Sequence, residues 1–221
     1  MSATPPLWKA ALLLALSPAA WAQQACSSDG QPAPAALLER FTSADCESCW
    51  SDPQAAQPGA GTVALDWIVP SAQGDDAPLS AAARQDGLDR LQALGQAELP
   101  AAPLQLSNAL LRVARGPALG GYIGTSIELQ PAGSIHGPLT AWLALVETIA
   151  AGTDGTPVER NLVRNTLVLD WNAAAGSWKE IRPLAVPEGA QAARLRVIGW
   201  VEDASARVLA AAQSQCLPEP D

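Results

Sequence analysis

Two cysteines separated by two residues, Cys46-Glu47-Ser48-Cys49, are the side chains best able to do chemistry in this chain. Such a pair can form a vicinal disulfide that opens when a thiolate attacks one sulfur, giving a mixed disulfide that the second cysteine resolves. In that reading Cys46 attacks and Cys49 resolves. Read structurally, the same pair is an inert staple. A zinc site would need three or four ligands, and one pair alone has ligand spacing, so no metal is expected. Cys26 and Cys216 complete a set of 4 cysteines, for which three pairings are possible. Pairing Cys46 with Cys49 leaves Cys26 and Cys216 as a structural disulfide tying down both ends of the chain. In the rival arrangement a terminal cysteine resolves or receives a disulfide from Cys46.

Other chemistry is sparse, and no cofactor is implied. The single histidine, His136, stands in the Gly/Pro-rich stretch from Ala132 to Pro138 and reads as a solvated loop residue rather than a base or ligand. No Gly-x-Ser-x-Gly surrounds any serine, so a Ser-His-Asp triad is not indicated. Gly116-Pro117-Ala118-Leu119-Gly120-Gly121 lacks the Lys-Ser/Thr of a phosphate loop and reads as a turn. Arg160 and Arg164 would share one face of a strand and read as a surface pair rather than an anion site. With 13 basic against 22 acidic side chains, nucleic-acid binding is disfavoured, because phosphate contacts need clustered Lys and Arg.

The first residues carry an address. Lys9 precedes the apolar run Ala10 to Leu16, and Ala20-Trp21-Ala22 places small residues where a signal peptidase reads, so residues 1–22 are expected to be a cleaved signal peptide. That run is far shorter than the ~20 residues that cross a bilayer, and no membrane span is expected. Gln23, Gln24 and Ala25 before Cys26 do not suit a lipoprotein site. The expected compartment is periplasmic or secreted, where disulfides persist, and the expected partners are protein thiols or disulfides.

The elements that must position the cysteines follow. Residues 23–34, with Pro32 and Pro34, form an extended leader. Ala36 to Phe41 is an apolar strand, and Thr42-Ser43-Ala44-Asp45 turns into a helix that Ser43 or Asp45 could cap. Cys46 then sits at the first helical turn, where unpaired N–H groups favour a thiolate. Thr62 to Val69 is a strand stopped by Pro70. Leu88, Leu91 and Leu94 fall at helical spacing within Leu79 to Gly95. The carboxyl half reads as strands over Tyr122–Leu129, Leu139–Ile149, Leu162–Trp171, Ser177–Ile181, Arg194–Val201 and Arg207–Ala212. Their spacing suggests a sheet or sandwich. Trp142, Trp171, Trp178 and Trp200 read as core or sheet-face aromatics.

The segment Phe41-Thr42-Ser43-Ala44-Asp45-Cys46-Glu47-Ser48-Cys49 resembles the signature of a secreted thioredoxin-like family of unknown function, domain of unknown function 1223. Trp67, Arg84-Gln85 and Ala102-Pro103-Leu104-Gln105 occupy the places of that family's next strand, helix and proline-led strand. Arg160-Asn161-Leu162-Val163-Arg164 and Val208 to Ala212 are similar to its late motifs. The resemblance implies an α+β fold: a thioredoxin-like module over residues 23–112 with the Cys-x-x-C, followed by a β-rich, sandwich-like module over residues 113–221. It also implies a cis proline that presents substrate beside the disulfide, with Pro103 the first candidate and Pro100 the second. The sequence departs from the family after Cys49, where Trp50-Ser51-Asp52 and then Pro53, Pro58 and Gly59 limit the helix to two or three turns. Glu47 and Asp45 oppose thiolate formation, which makes for a weaker oxidant. Two functions are therefore expected to compete: a thiol–disulfide oxidoreductase, and a non-catalytic binding or scaffolding protein in which the Cys-x-x-C is structural.

Overall fold

Apolar runs too β-branched and too short for helices dominate this chain, and they form strands. The computed structural model describes residues 25–95, 101–104, 109–130, 133, 137–171 and 178–216. In chain order its elements are β1 (Cys26–Ser27), β2 (Ala36–Ser43), α1 (Glu47–Trp50), β3 (Thr62–Val69), α2 (Gln85–Leu94), β4 (Ala102–Pro103), β5 (Leu110–Leu119) and β6 (Tyr122–Gln130). There follow β7 (Leu139–Ile149), β8 (Arg160–Trp171), β9 (Trp178–Ala185), β10 (Leu195–Asp203), β11 (Val208–Gln213) and β12 (Gln215–Cys216). Seven strands pair in the order β11-β10-β7-β8-β3-β2-β4 and five in the order β12-β1-β5-β6-β9.

This architecture overturns the α+β expectation. Among the described residues strand accounts for 52% and helix for 13%, and no thioredoxin-like module stands apart. The reason lies in β3. Its residues Val63, Leu65 and Trp67 face one side and Ala64 and Ile68 the other, and all are buried. A strand apolar on both faces needs neighbours along both edges and cover above and below. It finds β2 on one edge, in parallel, and β8 on the other, through the parallel pair Asp66 and Leu162. Strands from the two expected modules thus share one sheet, and β5 runs across residues 112 and 113, where the boundary was expected.

Local chemistry explains the remaining differences. The helix after the cysteines is a single turn, Glu47–Trp50, rather than two or three. Pro53 biases Asp52 away from helical geometry and closes it early. The expected helix from Leu79 is broken into a 3₁₀ turn, Ser80–Ala82, and α2, because Arg84 is extended and donates its N–H to Ile68. The Gly116–Gly121 stretch is a turn only at its end. Strand β5 continues through Leu119 with a register shift between Arg115 and Ala118, and Gly120 and Gly121 make the reversal at positive φ.

The two sheets pack face to face over a core that includes Val113, Ile123 and Ile127 from the five-stranded sheet and Leu143, Val197 and Val201 from the seven-stranded one. Helix α2 covers the opposite face of the larger sheet, setting Leu88 and Leu91 against Trp67 and Leu65. Gly199 of β10 lets the sheets approach closely: a Cβ there would stand 2.6 Å from Val113 Cγ1 and 3.1 Å from Ile127 Cδ1. Val113 is stiff at χ1 and buried, so it cannot swing aside. Gly199→Ala is expected to cost about 1–3 kcal/mol of stability, read as a lower urea midpoint with an unchanged slope.

Candidate functional site

The cysteine pair stands where two parallel strands end. After Ser43 the chain leaves β2, Ala44 donates its N–H to the Val69 carbonyl at the end of β3, and Cys46 donates to Ser43. Cys46 is the residue before the single helical turn and caps it without any side-chain hydrogen bond. Ser43 and Asp45, the expected caps, bond to each other instead, Ser43 Oγ donating to Asp45 Oδ1 at 2.6 Å. Cys46 and Cys49 are disulfide-bonded. Cys49 and its neighbour Ser48 are exposed, whereas Cys46 is half-buried with Ser48 Oγ 3.6 Å from its sulfur.

Trp50 fixes this turn to the sheet. Its indole Nε1 donates to the Asp154 carbonyl at 3.0 Å, and its own carbonyl accepts from Arg160 Nη2 at 3.1 Å. The Arg160 guanidinium also lies 5.1 Å from the Trp50 ring centroid, within cation–π range. Arg160 is 2% exposed and is held in turn by Asp66 at 3.0 Å and by Thr156 Oγ1. Asp66 accepts from Arg40 Nη2 at 2.7 Å and from the Asn161 backbone N–H. Arg40 further donates to the carbonyls of Ala56 and Glu159. The bond from the Trp50 carbonyl thus ties the cysteine turn to a buried ion triad, Arg40–Asp66–Arg160.

Above that triad lies a groove of about 860 Å³ lined by Arg40, Thr42, Ser48, Cys49, Asp52 and Arg160, among others. A smaller cavity of about 290 Å³ lies on the other side of Trp50, with the Arg164–Glu147 ion pair in its wall. Arg160 and Arg164 do not form the surface pair expected of them: each is drawn into the sheet by its own carboxylate.

A second buried cluster occupies the α2 face. Arg90 is bracketed by Glu39 of β2 and Glu202 of β10, with Nη2 on Glu39 Oε1 at 2.7 Å and Nη1 on Glu202 Oε2 at 2.9 Å. Trp67 Nε1 donates to Glu39 and Trp200 Nε1 to Glu202, and the guanidinium lies 5.1 Å from the Trp142 ring, itself stacked on Trp200. Burial pushes the Glu39 carboxyl above its ordinary range, against the pull of Arg90. Two carboxylates share one cation here, so a proton on one of them neutralises the cluster.

The other expected residues are dispersed. Cys26 and Cys216 are disulfide-bonded, and β1 and β12, which carry them, pair at that register. Pro103 pairs with Ala36, at the start of β2, and the cysteine turn follows its other end. At ~3.3 Å per residue the strand separates them by about 23 Å. No cis peptide bond occurs among the described residues, so Pro103 is neither cis nor beside the disulfide. Residues 1–22, Pro100 and His136 lie outside the described residues. Among the described residues no group of three or more His, Cys, Asp or Glu is placed to hold a metal, and no helix is long and apolar enough to cross a membrane. The disulfides are bonds that persist in oxidising compartments.

Sequence reasoning missed the charges that build the site. The available signal was a charged residue in the middle of an apolar strand: Glu39-Arg40 within Leu37 to Phe41, and Asp66 within Val63 to Val69. Such residues persist in a strand covered on both faces when a buried partner meets them. No family model matches the chain, and neither does any curated protein or solved structure.

Proposed function

We propose that the chain is a thiol–disulfide oxidoreductase of the periplasm or extracellular space, working through Cys46 and Cys49 on protein or small-molecule thiols and disulfides. The observation that carries this reading is the anchoring of the turn by Trp50. Its hydrogen bonds to Asp154 and Arg160 and its cation–π contact hold the segment without help from the sulfur bridge. A staple would be redundant there, whereas an exposed disulfide on a fixed platform can open and close without moving its surroundings. The resemblance of Phe41 to Cys49 to a secreted Cys-x-x-C family supports the same chemistry, and the acidic Glu47 and Asp45 set the pair toward the reducing end.

The greater exposure of Cys49 supports an order for the reductive half. A substrate thiolate entering the groove meets Cys49 Sγ, forms the mixed disulfide there and expels Cys46 as a thiolate, which takes up a proton. A second substrate thiolate then attacks the substrate sulfur, forming the substrate disulfide and releasing Cys49. Two electrons pass from substrate to protein, and a second disulfide restores the pair. In the reverse direction the Cys49 thiolate attacks the substrate disulfide, expelling a substrate thiolate, and Cys46 resolves the mixed disulfide, the opposite of the order expected from the sequence.

Redox titration of the protein lacking residues 1–22, followed by alkylation and mass spectrometry, tests this. A potential between about −120 and −270 mV, with the more exposed Cys49 alkylated first, is expected of a catalytic dithiol. A value below about −300 mV, or thiols reached only after denaturation, marks a structural bridge and favours the binding protein.

A further inference from the structure

Beneath Cys49 the groove is lined by two guanidiniums, Arg40 and Arg160, and by two carboxylates, Asp52 and Glu39, of which Glu39 is held by Arg90 of α2. Arg40 and Arg160 both line it, are 8% and 2% exposed, and share Asp66 as their carboxylate partner among the described residues. Their remaining bonds go to neutral acceptors, the carbonyls of Ala56, Glu159 and Trp50 and the hydroxyl of Thr156. Arg40 Nε, fully shielded from solvent, finds no acceptor among the described residues. A buried N–H left without an acceptor is unfavourable, and a buried cation in excess of its counter-charges more so. An anionic group in the groove would supply the missing counter-charge.

We infer that this groove receives the carboxylate of a small acidic thiol, or of its disulfide, and so aims the sulfur at Cys49. The inference rests on the exchange reaction proposed above and names its substrate class. The volume of about 860 Å³ falls in the range of roughly 300–1,000 Å³ typical of small-molecule sites. Opposing it are the overall charge of −9 and the acids at the rim, Asp52 in the groove wall and the exposed Asp45 and Glu47. These solvated charges are screened over about 8 Å at physiological salt, whereas the buried guanidinium pair is screened much less. The two guanidiniums, with the single carboxylate of Asp66 between them, are therefore the charges that a carboxylate in the groove would meet with least screening. The Arg160-Asn161 segment, which sequence reading passed over as surface, becomes a substrate-positioning element.

The test compares the rates at which glutathione, 3-mercaptopropionate and uncharged 2-mercaptoethanol reduce the Cys46–Cys49 disulfide, each corrected for its thiol pKa. The two carboxylate thiols are expected to react at least about tenfold faster than 2-mercaptoethanol, the yield of one hydrogen bond to a charged group. In Arg40→Gln, where Asp66 keeps Arg160 and the Asn161 N–H, that preference should fall to about twofold, the ratio being taken within the variant so that any change in its rate with 2-mercaptoethanol cancels. In the wild-type protein S-methylglutathione, which has carboxylates but no free thiol, should slow the glutathione reaction saturably. That arm decides even if Arg40→Gln does not fold. Equal corrected rates, or a faster uncharged thiol, overturn the inference and leave the exchange reaction standing. A preference for a cysteine peptide with acidic neighbours, without any for glutathione, replaces the small thiol by a protein substrate. Failure of all three thiols to reduce the pair removes the functional reading itself and this inference with it.

Discussion

Replacing Arg90 with leucine is expected to cost about 3–5 kcal/mol at pH 7, enough to leave a domain of ordinary stability partly unfolded. The substitution keeps the packing of an aliphatic stem against Trp142 and Trp200 but strands Glu39 and Glu202, both at most 5% exposed, without their shared cation. Neither can reach water, and their mutual repulsion remains. The deficit has a definite pH dependence. In the wild-type protein the Glu39 carboxyl already lies above its ordinary range. For such a group the stabilising contribution is complete below the unfolded-state value near 4.5 and is lost as pH rises through the folded-state value. Removing Arg90 takes away the pull that opposes burial at Glu39, so Arg90→Leu should recover much of its loss between pH 7 and pH 5. Urea unfolding at the two pH values checks this. A deficit independent of pH would mean that the arginine acts through packing alone.

Loss of the terminal disulfide should be the other large effect. Cys26 and Cys216 close a loop of 190 residues, for which the chain-entropy model gives about 5 kcal/mol. Removal of native disulfides typically costs about 2–5 kcal/mol. Cys26→Ser together with Cys216→Ser is therefore expected to lower the thermal midpoint by many degrees. The double serine variant of Cys46 and Cys49, which close a loop of only 3 residues, should lose about 2 kcal/mol or less by the same model. Calorimetry of the two variants side by side measures the contrast. Equal losses would show that the vicinal bridge also carries structural load, against the oxidoreductase reading.

Much of the local structure was legible before the fold was seen. Thr62–Val69 and Leu139–Ile149 are strands over the residues that their apolar runs mark out, because β-branched residues bounded by turn formers leave little choice of conformation. Sequence did not reveal which sheet each strand joins. Period and composition report the faces of a strand, whereas partnership far along the chain, as between Asp66 of β3 and Leu162 of β8, depends on matching buried surfaces. The division at residue 112 failed for that reason: local similarity around Cys46 was extended to a whole module, while β3 required β8 as its neighbour. The site was half legible. The cysteines announce themselves, but Arg40, Asp66 and Arg160 are meaningful only together, and they come from three strands and from positions 40, 66 and 160. Glu39 and Arg40 were visible as charges in an apolar strand, pointing to opposite faces of one sheet, and each proved to be the start of a separate buried cluster.

The bond between Cys26 and Cys216, whose Cα atoms lie 4.0 Å apart, turns most of this linear polymer into a ring. A protease that cuts one exposed loop, such as the turn at Gly120–Gly121, opens the ring but releases no fragment until a reductant acts. Tension applied to the two ends is likewise carried by a sulfur–sulfur bond and two short strands rather than by either large sheet. Mechanical or proteolytic insult at the termini therefore reaches the Cys46–Cys49 platform last, and a molecule nicked once between Cys26 and Cys216 remains a single covalent unit.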